Sequence, residues 1–128
     1  MKTIEEMLNE YTECVKKRFA LLDEDKYAEA EEVHQHQYAL FDSICNSEEF
    51  KKKDKRIRLL YIIGDVYEYS TEFVEDGVRL MNIDGDFDYT YPTMEEALID
   101  WLPYLETSNE EGNLDWEEEI EYIKSLMQ

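Results

Sequence analysis

Asp84, Asp86 and Asp88 stand at alternate positions, and Glu95 follows eleven residues after the first, which is the spacing of a calcium-binding loop. Hard cations take oxygen ligands from such a row, but an EF-hand loop needs glycine at its sixth position for the sharp turn, and Tyr89 stands there. Asp84-Gly85 also reads as a hairpin turn with the remaining acids on the solvent side, and this is the favoured expectation. Glu31 and His34 could supply half of a carboxylate-bridged metal site, which needs that motif twice and two further glutamates. His36 lies two residues on, off that helical face. Neither Cys14 nor Cys45 has a histidine at a spacing that supports nucleophilic catalysis. Ser43, Ser47, Ser70, Ser108 and Ser125 sit in no nucleophile motif, and no glycine-rich loop cradles phosphate. The expectation is a protein that is not an enzyme and holds no metal or cofactor.

Charge is the more informative chemistry. The chain has 33 acidic and 13 basic residues, a formal net charge of −20. Residues 65–128 hold 19 acids against two bases (Arg79 and Lys124), an excess of 17. Residues 1–64 hold 14 acids and 11 bases, an excess of three. Such an asymmetry repels nucleic acid and anionic membrane and attracts basic proteins, at a cost in self-repulsion. With 43% hydrophobic and 13% aromatic residues over 128 positions, the chain is too apolar for a disordered acidic tail and long enough for one domain with its own core. The start Met1-Lys2-Thr3-Ile4-Glu5-Glu6 has acids where a signal peptide needs an apolar run, and no segment approaches a membrane span. Two reduced, buried cysteines in a cytoplasmic protein of a bacterial host cell are therefore expected.

The elements that position these charges follow from periodicity. Thr3 and Glu6 form a capping box, and Ile4, Met7, Leu8, Tyr11, Cys14, Val15, Phe19 and Leu22 mark a helix over 4–22. Asp23-Glu24-Asp25 supplies a turn, and a second helix runs from about Lys26 to Cys45 with a stripe of Tyr27, Ala30, Val33, Gln37, Leu40, Phe41 and Ile44. The short connection makes an antiparallel helical hairpin. Ile57–Ile63 is almost wholly apolar; its length and composition lean to a strand, while its continuation from a capped turn fits a helix. From Val66 the period is two, with Tyr67, Tyr69, Thr71 and Phe73 on one face. Asp76-Gly77 and Asp84-Gly85 punctuate two hairpins, and Phe87, Tyr89 and Tyr91 continue the alternation. Thr93 to Glu96 is a second capping box opening a helix that Pro103 should kink or end. Thr107–Gly112 reads as a polar loop before a last helix over about 114–127. The fold class is α+β: an N-terminal helical hairpin, a three- to four-stranded antiparallel meander with helices on one face, and two C-terminal helices. One domain spans 1–128, helical over about 1–55 and an acidic sheet–helix part over about 56–128.

The aromatic stripe reads as core, because a stacking platform for single-stranded nucleic acid needs a positive groove and the interleaved residues are acidic. The basic run Lys51–Arg56 reads as a solvated helix end or as counter-charge for the acidic half. The candidate partner-binding residues are then carboxylates: Glu68, Glu72, Asp84, Asp86 and Asp88 along the meander, Glu95 and Glu96 on the next helix, Glu110 and Glu111 after it, and Asp115, Glu117, Glu118, Glu119 and Glu121 at the C-terminus. Acids on one face of a strand stand ~6–7 Å apart. That approaches the ~7 Å spacing expected of phosphates along one strand of B-DNA. A rigid array of this kind fits a groove built from lysine and arginine.

In size, charge, aromatic content and the carboxylate-bearing segments over Asp65–Gln128, the chain resembles small acidic inhibitors of phages and mobile elements, among them anti-CRISPR and anti-restriction proteins that mimic DNA. The resemblance is compositional, and the run Lys51–Arg56 departs from a uniformly acidic mimic. It implies an inhibitor whose partner is a basic nuclease such as a CRISPR effector, with no direct contact to nucleic acid or membrane. Two rivals share the sequence features: an immunity or antitoxin protein that plugs a nuclease toxin, and an acidic adaptor that binds through an apolar surface.

Overall fold

The computed structural model describes residues 2–112 and 114–128. Helix α1 (Ile4–Asp23) starts as its capping box dictates: Glu6 N donates to Thr3 Oγ1 at 3.1 Å, and Thr3 N donates to Glu6 Oε1 at 3.2 Å. Its buried stripe is Ile4, Leu8, Tyr11, Thr12, Val15 and Phe19. After a turn with Asp25 in the left-handed region (φ 63°), α2 (Tyr27–Cys45) returns against α1 and closes the expected hairpin. Ala30, Gln37 and Ile44 are its buried positions, whereas Tyr27 stays exposed at the helix start. A single turn, α3 (Glu48–Lys51), seats Phe50 in the core.

The apolar segment Ile57–Ile63 lies within a helix, α4 (Lys55–Tyr67), which corrects the lean toward a strand and limits the meander to three strands. Asp54 caps it by accepting from Arg56 N. The segment is apolar on nearly every side because α4 is buried on two sides. Leu59, Leu60 and Ile63 join one hydrophobic cluster with the sheet and the C-terminal helices. Tyr61 and Ile57 join another with α1, α2 and α3. Val66 and Tyr67 continue this helix rather than opening a strand, and Glu68 ends it in the left-handed region at φ 60°.

Strands β1 (Tyr69–Val74), β2 (Gly77–Asn82) and β3 (Asp88–Tyr91) form an antiparallel meander in the order β1-β2-β3, with Thr71 opposite Leu80 and Leu80 opposite Tyr89. Two glycines permit close approaches. A Cβ on Gly64 would lie 2.6 Å from Thr71 Oγ1 where α4 crosses β1. One on Gly77, at φ 142°, would lie 1.9 Å from the Tyr91 carbonyl oxygen. The second connection is a five-residue loop rather than a tight turn, held by Asn82 N donating to Phe87 O and Phe87 N donating to Asn82 Oδ1. Helices do not keep to one face of the sheet. Leu80 and Val78 pack with α4 and the C-terminal helices, whereas Met81, on the alternate face, packs with the α1 cluster. Thr12 on α1 also donates to the Thr71 carbonyl of edge strand β1.

Helix α5 (Met94–Glu110) opens with Glu96 N donating to Thr93 Oγ1 and runs through Pro103 to Glu110. It thereby absorbs much of the segment expected to be a loop. Helix α6 (Glu117–Leu126) packs on α5 through Ile120 and Ile123, and buried Trp116 precedes it, its backbone N–H donating to Asn109 Oδ1. Among the described residues no helix is long and apolar enough to cross a membrane.

Candidate functional site

The fold sorts the candidate carboxylates into two groups. The first lies at and around the sheet, and it is compensated. Glu68, a helix end rather than a strand residue, accepts from Arg18 Nη2 at 2.9 Å. Glu72 lies between Lys16 (2.9 Å) and Arg79 (3.5 Å). Asp88 takes a two-pronged contact from Arg79, Nε at 2.8 Å and Nη2 at 2.7 Å. Glu95 accepts from Arg56, which also grips Asp54. The Arg79 hydrogen bond holds Asp88 below the usual carboxylate range. Glu95 is lowered by its backbone hydrogen bond and then by Arg56, and the Arg56 contacts bring Asp54 down to about 2. The expected row of free acids along one strand face is thus not what the structure contains: these side chains already have cations. Arg56 is the member of the basic run that serves as counter-charge to the acidic half. Lys53 and Lys51 instead reach Glu5 and Glu48.

The remaining candidates are not among those pairs. Asp84 and Asp86 are exposed in the loop between β2 and β3, Glu96 is exposed in the first turn of α5, and Glu110 and Glu111 are exposed at its end. Asp115 accepts from Glu117 N before α6. Glu117, Glu118 and Glu119 occupy the first turn of α6, where the helix dipole favours negative charge. Glu121 follows on the exposed side. Among the described residues, Asp84, Asp86, Glu96, Glu110, Asp115, Glu117, Glu118, Glu119 and Glu121 make no ion pair within 4.0 Å. The turn from α5 into α6 therefore gathers an uncompensated patch, with like charges at i, i+4 (Glu117 and Glu121) and i, i+3 (Glu118 and Glu121) that oppose helix stability.

Beside the sheet lies a feature that the sequence reading filed under core. Tyr69, Phe87, Tyr91, Trp101 and Tyr104 line a cleft together with Asp100. Tyr91 and Trp101 are buried, but Phe87 is 36% and Tyr104 56% exposed, and neighbouring Tyr89 is 52% exposed. The rings meet nearly edge to face: Tyr69 and Trp101 at 75°, Trp101 and Tyr104 at 70°, Tyr69 and Phe87 at 61°. Asp100 accepts a hydrogen bond from the Tyr91 hydroxyl. Burial, then that hydrogen bond and the Asp100 charge, push the Tyr91 phenol upward, so it remains a donor. Asp100, Trp101 and Tyr104 escaped the sequence reading as a site because Trp101 belongs to the same helical stripe as Ala97, Leu98 and Leu105.

The residues that could do other chemistry stay apart. His34 Nδ1 lies 3.9 Å from Glu31, and His36 Nε2 lies 3.8 Å from Glu10 on another helix. Among the described residues no group of three or more His, Cys, Asp or Glu could hold a metal ion. Asp88 and Glu95 of the calcium-like spacing are held by different arginines. Cys14 and Cys45 are free, half-buried thiols, and desolvation raises both, the reverse of nucleophile activation. The chain matches no protein-family model, no curated protein and no solved structure.

Proposed function

We propose that this chain is a non-enzymatic inhibitor that binds the basic, nucleic-acid-binding groove of a protein such as a CRISPR nuclease and keeps nucleic acid out. It would act in the cytoplasm of a bacterial host cell. One observation carries the reading: among the described residues, Glu110, Asp115, Glu117, Glu118, Glu119 and Glu121 around the α5–α6 turn make no ion pair within 4.0 Å, although the same chain pairs its sheet acids with its own arginines and lysines. Like charges at i, i+3 and i, i+4 along α6 cost helix stability, a cost that binding to a positive groove would offset. Glu110, Glu111, Asp115, Glu117, Glu118, Glu119 and Glu121 form the principal contact surface, extended by Asp84, Asp86 and Glu96. Glu68, Glu72, Asp88 and Glu95 serve the fold first, and they contribute to binding only if a partner arginine displaces an internal one.

The mechanism needs no bond chemistry. Negative charge steers association with a positive groove, and each carboxylate seated against a lysine or arginine occupies a phosphate position. Titrating the protein against a purified RNA-guided nuclease at 50 and 300 mM salt, with duplex DNA as competitor, tests this. Affinity should fall steeply with salt, because the Debye length contracts below ~10 Å above about 0.1 M, and DNA and the protein should exclude one another. Binding that is indifferent to salt, or a ternary complex with DNA, would overturn it.

A further inference from the structure

The geometry points to the aromatic cleft of Tyr69, Phe87, Tyr91, Trp101 and Tyr104, with Asp100, as a pocket for a single arginine side chain of the partner protein; this rests on the proposed attraction to a basic groove and names the residue that anchors it. Three features select that occupant. Five aromatic side chains line the cleft, Phe87 and Tyr104 among them partly exposed, and a cation seated over an open ring face is attracted by the ring quadrupole. Asp100 lies in the cleft with no cation within 4.0 Å among the described residues, and Glu96 joins it one helical turn earlier along the adjoining groove. The chain's own cation–ring contact is elsewhere, Lys55 Nζ standing 4.5 Å from the centre of the Tyr122 ring on α6. The site therefore combines π-faces and negative charge and lacks a positive group.

The cleft has room for a guanidinium, and shape and hydration favour arginine over lysine. The cavity volume is about 50 Å³. A water molecule needs roughly 10–15 Å³ of the same measure, so the cleft holds about three to five water-sized groups, room for the heavy atoms of a guanidinium. A planar guanidinium can also stack on one ring while its fork donates to the Asp100 carboxylate, which a hydrated ammonium cannot do. Tyr91 donates to Asp100 Oδ2 and holds the carboxylate in place. Phe87 and Tyr104 are partly exposed, so both can be truncated with little loss of core packing.

Acetylated, amidated hexa-arginine and hexalysine peptides, titrated by calorimetry and by NMR of the Trp101 indole, test the assignment on the intact protein. Hexa-arginine should bind about fivefold tighter than hexalysine, with the Trp101 indole signal shifting on titration. The double variant Phe87→Ala, Tyr104→Ala should bring the two affinities together while hexalysine binding and its salt dependence persist, and Tyr104→Phe should keep the arginine preference. Equal affinities for the unaltered protein, or an arginine preference surviving in the double variant, would overturn the arginine pocket and leave the charge-based reading standing. Failure of either peptide to bind at low salt would overturn both.

Discussion

The two halves of the molecule handle charge in opposite ways. The N-terminal helices keep 14 acids beside 11 bases. They use those bases locally, in pairs such as Lys2 with Glu10 and Lys53 with Glu5, and also across the molecule, where Lys16, Arg18 and Arg56 reach Glu72, Glu68 and Glu95. The sheet is the seam where this neutralisation ends. In residues 65–128 the only bases are Arg79 on β2 and Lys124 on α6, paired with Asp88 and Glu106, and the first turn of α6 receives no cation among the described residues. Composition alone shows that the C-terminal half is acidic. The pairing shows which candidate acids the fold itself holds: Glu68, Glu72, Asp88 and Glu95 have cations.

The largest expected effect comes from reversing the available group. Changing Glu117, Glu118, Glu119 and Glu121 to Lys moves the net charge from −20 to −12. Reversing exposed Glu13, Glu29, Glu31 and Glu32 in the N-terminal half makes the same change in total charge. Association with a basic nuclease, followed by stopped flow at low salt, should slow by about tenfold or more for the α6 set and only slightly for the other. Circular dichroism melts check that each variant folds. Equal slowing by both sets would mean that total charge matters rather than its placement, and the contrast between the halves would carry no functional weight.

That contrast was partly legible in the sequence. The count of charges was, and so were the helices announced by Thr3 with Glu6 and by Thr93 with Glu96, because a capping box is a local signal that needs no knowledge of the fold. The pairing was not legible: Arg18 and Glu68 are fifty residues apart, and only the packing of α1 against β1 makes them neighbours. Ile57–Ile63 was misread because a helix buried on two sides loses the polar stripe that reveals its period. Glu68 gave no warning that it ends α4, since a left-handed helix end is ordinarily occupied by glycine or asparagine. Pro103 lies on the exposed side of α5, and the helix continues with Thr107 Oγ1 donating back to the Pro103 carbonyl, a tertiary outcome that local rules oppose. The aromatic cleft was hidden for a related reason: alternation identifies the aromatic side of a strand without showing that its end is left uncovered.

A smaller effect should come from the seam. Arg56→Gln removes the partner of both Asp54 and Glu95. Each has a folded-state pKa depressed below its unfolded value, that of Asp54 to about 2. The stability that each contributes is present above the unfolded carboxylate range near pH ~4. It is lost as pH falls through the lowered folded value. The melting temperature of the variant should therefore lie below that of the unaltered protein at pH 7, and the gap should close between about pH 4 and pH 2. A gap that stayed constant with pH would assign the Arg56 contribution to packing instead and would weaken the description of the sheet as an electrostatic seam.

The smallest effect separates repulsion from pairing in the whole chain. Added salt weakens both, but the pairs are few and short-ranged, whereas an excess of 17 negative charges in residues 65–128 repels over distances that exceed a Debye length once salt is added. Raising sodium chloride from 20 to 500 mM should lift the melting temperature by about 2–5 °C. The variant with α6 reversed should gain less, since its patch no longer repels itself, and the variant with Glu13, Glu29, Glu31 and Glu32 reversed should gain nearly as much as the unaltered protein. If the two reversals blunted the salt response equally, the self-repulsion would be spread over the surface, and α6 would have no special place in it.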